Sequence, residues 1–167
     1  GPGKIRLFCD FFQEDNVANT AASRLIGAFM VGGQGSEDTD SGVPTLASDG
    51  LSGVGVFTST NESEHTLCVG TNQAFDVALM GTIVAEARVR FTDLDTKDAF
   101  FGFTDLDLDT LSIQSGILSN DGTSTLTLTA SDFVGFYLSS ELTDDEDWHT
   151  VYNGGTTTGV TDATALD

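Results

Sequence analysis

The chain has 167 residues, 39% of them hydrophobic, with six Lys and Arg set against 26 Asp and Glu and a formal net charge of −20. No basic residue follows Lys97. Such a surface repels phosphate, so nucleic-acid and anionic-membrane binding are excluded as expected functions, and no apolar run has the length of a membrane span. The length and apolar content suit one domain, taken as 1–167, with a core of its own.

The opening "GPGKIRLFCDFF" lacks a methionine and a signal-peptide pattern. Its apolar residues alternate, with Ile5, Leu7 and Cys9 on one side. It also carries two cations within three residues, so Lys4, Ile5 and Arg6 are candidate partner-binding residues. "NVANTAASRLIGAF" is a weak helix candidate. The polar loop "GGQGSEDTDSG" at 32–42 adds Gly32, Gly33 and Gly35 as further partner-binding candidates. It lacks the lysine of a phosphate loop, and its acidic neighbours oppose phosphate.

"GVGVFTST" and "HTLCVGT" read as short strands around the polar turn "TNESE". "NES" fits a glycosylation acceptor without secretory context, and His65 reads as a surface residue. Cys9 and Cys68 are too few for a disulfide scaffold, so buried free thiols are expected. "TIVAEARVRFTD" is the clearest strand: Ala85, Ala87, Val89 and Phe91 point one way, and Glu86, Arg88 and Arg90 the other.

"AFFGFTDLDLDT" follows, with Phe100, Phe101 and Phe103 expected to fill an interior. Asp105, Asp107 and Asp109 come at every second position, which on a strand puts three carboxylates on one face. They are the weak metal candidates. An EF-hand fails, because its sixth and twelfth positions hold Thr110 and Gly116. The stretch has no glutamate pair for glycoside hydrolysis, so a solvated acidic face is the expectation.

"STLTLTAS" alternates, and the nearly unbroken "FVGFYLSS" reads as a strand covered on both faces. "TDDEDWHTVY" is a second weak helix candidate and gathers an acidic cluster at 144–147 before Trp148, His149 and Tyr152. No second histidine stands at ligand spacing. Many short strands punctuated by glycine turns such as "SDG" and "NDG" predict an all-β, antiparallel sandwich or barrel. No catalytic signature and no cofactor motif is present, so a binding or structural protein is expected rather than an enzyme.

Three segments carry a family resemblance: "IRLFCDFFQEDN", "VAEARVRFTDLDTKDAFFGFTD" (84–105) and "LTASDFVGFYLSSELTDDEDWHTVYNGG" (128–155). In this order they resemble concanavalin A-like (laminin-G-like) jelly-roll sandwiches. More narrowly, the chain is similar to structural proteins of tailed bacteriophages that carry this sandwich. The resemblance implies a decoration or cement protein on the exterior of the phage head. It would bind the major capsid protein or another virion protein and form a homo-oligomer, with no catalytic residue and no cofactor. Such chains continue past the "NGG" turn with further strands, whereas this one reaches Asp167 soon after it. The sandwich is then incomplete at the C-terminus or completed by a neighbour. The alternative is a carbohydrate-binding module of lectin type, calcium-dependent through Asp105, Asp107 and the 144–147 cluster, with Trp148 or Tyr137 stacking on a glycan.

Overall fold

The computed structural model describes residues 6–11, 25–36, 45–46, 53–59, 65–71, 75, 80–119, 126–143, 145–154 and 164–166. Their regular structure is almost entirely β, with one 3-10 turn and one π turn, so the all-β class holds. The contacts divide the chain into two compact units. One is Gly1–Gln73 with Asp107–Ser112, and the other is Ala74–Leu106 with Ile113–Asp167.

In the first unit, β1 (Leu25–Ile26) and β2 (Phe29–Gly32) form a tight hairpin, with Ile26 opposite Phe29. Gly27 opens its two-residue turn at φ 60°, the left-handed backbone that such turns require. This hairpin occupies the C-terminal part of the stretch read as a weak helix, whose residues 16–24 lie outside the described ones. The turn wins because "LIGAFMVG" is β-branched and aromatic on both sides of a glycine.

β3 (Thr45–Leu46) pairs with β4 (Gly55–Val56), and β5 (Cys68–Gly70) pairs with the free side of β2. Ile26 and Val31 are the buried centre, with Cys9, Phe11, Leu67 and Val69 packed on it. Residues 6–10 join no strand, but the expected alternation survives in exposure: Leu7 and Cys9 are half-buried and Phe8 is exposed.

Leu108 enters this unit through the 3-10 turn Leu108–Thr110. The Gly33 amide donates to the Leu108 carbonyl at 2.8 Å, and the Gln34 amide to that of Leu111 at 2.8 Å. The leucine side chain sits over two bare backbones. A Cβ on Gly32 would lie 3.2 Å from Leu108 Cγ, and one on Gly70 2.9 Å from Leu108 Cδ1. Those glycines are therefore seats for a buried leucine.

The second unit is built on an antiparallel sheet. Its order is β11 (Thr164–Leu166), β10 (Trp148–Asn153), β9 (Phe133–Ser139) and β6 (Asp98–Thr104). Phe101 lies opposite Phe136, which lies opposite Thr150. The β6–β9 ladder is extended at both ends by backbone bonds, Asp105 amide to Asp132 carbonyl (3.0 Å) and Ser140 amide to Lys97 carbonyl (2.9 Å). A short ladder of β7 (Leu118–Ser119) and β8 (Thr127–Leu128) follows the π turn Ile113–Ile117. Ile117, Leu118, Leu126, Ala130, Phe133, Tyr137, Leu138, Leu142 and Val151 are buried in this unit.

Three strand readings change here. Residues 82–93, the clearest expected strand, run outside every strand pair, and Ala87 and Val89 are exposed. Period-two alternation sorts side chains to two sides, but a strand also needs a ladder partner, and no described strand supplies one. "TDDEDWHTVY" yields strand β10, as its aromatic and β-branched residues favour. β9 is fully covered on one face and only in part on the other, where Leu138 is buried but Val134 and Phe136 are exposed.

Candidate protein-contact face

The pleat sorts the sheet residues of β6, β9 and β10 onto two faces, because directly opposite residues share a side. One face carries Asp98, Phe100, Phe133, Tyr137, Ser139, His149 and Val151. Phe133, Tyr137, Ser139, His149 and Val151 on it are buried. The other carries Phe101, Phe103, Val134, Phe136, Leu138, Trp148 and Tyr152.

The buried face holds its polar groups in a connected arrangement. Gln114 of the π turn donates through Nε2 to Asp98 Oδ2. The second oxygen, Oδ1, is buried without a hydrogen-bond partner among the described residues. Tyr137 is fully enclosed; burial first, and then the nearby Asp98 charge, push its phenol well above the usual tyrosine range, against a hydrogen bond with Ser139. A neutral, hydrogen-bonded phenol is therefore built into the sheet.

Phe100 also belongs to this face, and two glycines make room for it. Gly102 and Gly135 are opposite one another, and a Cβ on either would meet the Phe100 ring, at 3.0 Å and 2.8 Å from Cζ respectively. The ring stands edge-on to Phe133, with centroids 6.3 Å apart.

The opposite face is apolar and partly open. Val134 is 56% exposed, Tyr152 41% and Phe136 40%. Val134 lies between Phe103 and Tyr152 in register, so these residues are contiguous. Toward the other end the face is covered: Leu138 is buried, and Trp148 packs on Phe91 with ring centroids 6.3 Å apart. A depression of about 160 Å³ lies between Ala85, Phe101, Phe103, Val134 and Phe136. Residues 81–91 thus run beside this face, touching down at Ala85 and Phe91 and leaving Val84 and Val89 exposed.

Charge on this unit is uneven. Arg88 and Arg90 are exposed, and neither has an ion-pair partner among the described residues. Lys97 is engaged, 3.2 Å from Asp93 and donating to the Asp95 carbonyl at 3.2 Å. That lysine, with the Thr92 hydroxyl, holds the Asp93 carboxyl below its usual range.

The expected site residues fall as follows. Asp105, Asp107 and Asp109 are exposed, but they do not line one face of a strand: β6 ends at Thr104. Asp107 instead caps the 3-10 turn, its carboxylate accepting from the Asp109 amide at 3.1 Å. Among the described residues no three His, Cys, Asp or Glu side chains come together as metal ligands would. Phe100, Phe101 and Phe103 are half-buried rather than interior.

Of the partner-binding candidates, Arg6 is exposed, while Lys4 and Ile5 lie outside the described residues. Gly32 and Gly33 are buried, and half-buried Gly35 lies against the His65 ring. In the acidic cluster Asp144 lies outside the described residues, and Asp145 and Glu146 are exposed. Tyr137 is enclosed in the sheet and offers no stacking platform; Trp148 is half-buried against Phe91. Cys9 and Cys68 are free and half-buried, the Cys68 thiol donating to the Leu108 carbonyl at 3.6 Å.

Sequence reasoning missed the open face and the polar face behind it. The signal for both was the cross-strand register, which an unbroken apolar run conceals. Comparison of the chain with protein-family models, with curated proteins and with solved structures finds no match.

Proposed function

We propose that this chain is a structural, non-enzymatic protein of a tailed-phage virion. In this reading it is built on a concanavalin A-like jelly-roll sandwich and decorates the head exterior by binding the major capsid protein, or another virion protein, and its own copies. One observation supports the reading most. Two of the segments that carry the resemblance, 84–105 and 128–155, contribute β6, β9 and β10, which are neighbours in the four-stranded sheet. The resemblance thus rests on pieces that fold against one another.

The chemistry suits such a role. An apolar sheet face that stays partly open offers area for a protein neighbour. A net charge of −20 limits clumping of decorated particles. Modest affinity per copy suffices, because linked copies gain about 10²–10⁴ in avidity where geometry permits joint engagement.

The test is electron cryomicroscopy of heads of the encoding phage mixed with the purified chain. Ordered density for the sandwich at repeated positions on the head exterior is expected. Bare heads, together with a melting temperature that rises by several degrees in calcium and falls back in EDTA, would replace this reading with the carbohydrate-binding one.

A further inference from the structure

We propose that the open face of the β6–β9–β10 sheet, with Arg88 and Arg90 beside it, is a self-association surface whose occupant is a second copy of this chain. The inference rests on the reading that the protein binds its own copies, and it names the surface. Val134, Phe136 and Tyr152 are exposed side by side, and Val89 is exposed on the run that carries the two arginines. Tyr, Phe and Arg are the residue types that anchor protein interfaces.

Charge selects the occupant. The second unit holds three basic residues, Arg88, Arg90 and Lys97, and Lys97 is already bound to Asp93. A partner that brings carboxylates can pair with the two exposed guanidinium groups, and one that brings apolar area can cover Val134 and Phe136. A second copy brings both. It exposes Glu141, Asp145 and Glu146 between β9 and β10, and Asp132 ahead of β9, at the ends of the strands that bear the apolar patch.

A two-fold arrangement sets each copy's arginines against the other's carboxylates with one self-complementary surface. Overall repulsion between two anionic copies is short-ranged at physiological salt, where the screening length is about 8 Å. Local pairing at the contact then decides the outcome.

Sedimentation velocity on the purified full chain over a wide concentration range tests this. A monomer–dimer equilibrium is expected. Val134→Asp and Arg88→Glu should each weaken it about tenfold or more, by roughly 1.4 kcal/mol, with the circular dichroism spectrum of the dilute, monomeric protein retained because both positions are exposed. Asp109→Asn, in the other unit, should leave the dimer intact. A wild-type chain that stays monomeric at every concentration overturns the proposal, as does a dimer that ignores both substitutions. A monomer that still binds heads overturns this surface and leaves the virion reading standing; a dimer sensitive to both substitutions that binds no head does the reverse.

Discussion

The two faces of the β6–β9–β10 sheet differ in what they hide: one buries polar groups among its apolar ones, and the other leaves apolar groups partly open. One face encloses a tyrosine, a histidine, a serine and an aspartate oxygen, while the other leaves a valine, a phenylalanine and a second tyrosine in water. Most of the enclosed polar groups have partners, the Tyr137 phenol bonded to Ser139 and Gln114 reaching Asp98 Oδ2, while Asp98 Oδ1 has none among the described residues. An open apolar face has no comparable internal reason, since its exposure lowers stability relative to cover. The contrast ties the first face to stability and leaves the second as the surface on which the proposed self-association rests.

Substitutions separate these two assignments. Tyr137→Ala removes the largest fully buried side chain of the sheet and should cost about 3–5 kcal/mol, read by urea denaturation. Gly135→Ala drives a methyl group into the Phe100 ring and the Phe101 carbonyl, and should cost about 1–3 kcal/mol in the same assay. A loss as small as that of an exposed position would mean that the ring does not lie across the two glycines.

The enclosed phenol also predicts an alkaline limit. Its folded-state ionisation is raised, whereas an unfolded tyrosine ionises near pH ~10. The neutral form is thus favoured in the folded state, its contribution is complete below about pH 10, and it is lost as pH rises beyond that. Absorbance near the phenolate band should show Tyr137 ionising together with unfolding, and Tyr137→Phe should remove that component. The smallest effect belongs to the open face. Val134→Thr should change stability by less than about 0.5 kcal/mol, while still weakening association.

Legibility differed between elements for physical reasons. β6 and β9 were readable as aromatic and β-branched runs, and the all-β class followed, whereas the segment of β10 read as a helix candidate because its acidic lead-in masked the β-favouring "WHTVY". Residues 82–93 alternate as well as any of them, yet lie outside the described ladders, because alternation specifies faces and leaves the partner unspecified. In "TDLDLDT" the same period suggested a strand of carboxylates, but an aspartate two residues before an amide it can accept from is also a turn cap, and the cap prevailed at Asp107. The open face was hidden within "FVGFYLSS", where every residue but the glycine and serines is apolar and nothing local tells Val134 from Tyr137.

The most direct measurement is hydroxyl-radical footprinting of Val134, Phe136 and Tyr152, first in dilute protein and then under conditions of association. The account predicts strong labelling of all three in the dilute sample, with Tyr137 protected, and loss of labelling at the three positions on association. Protection already complete in dilute protein, or labelling unchanged by association, would contradict it.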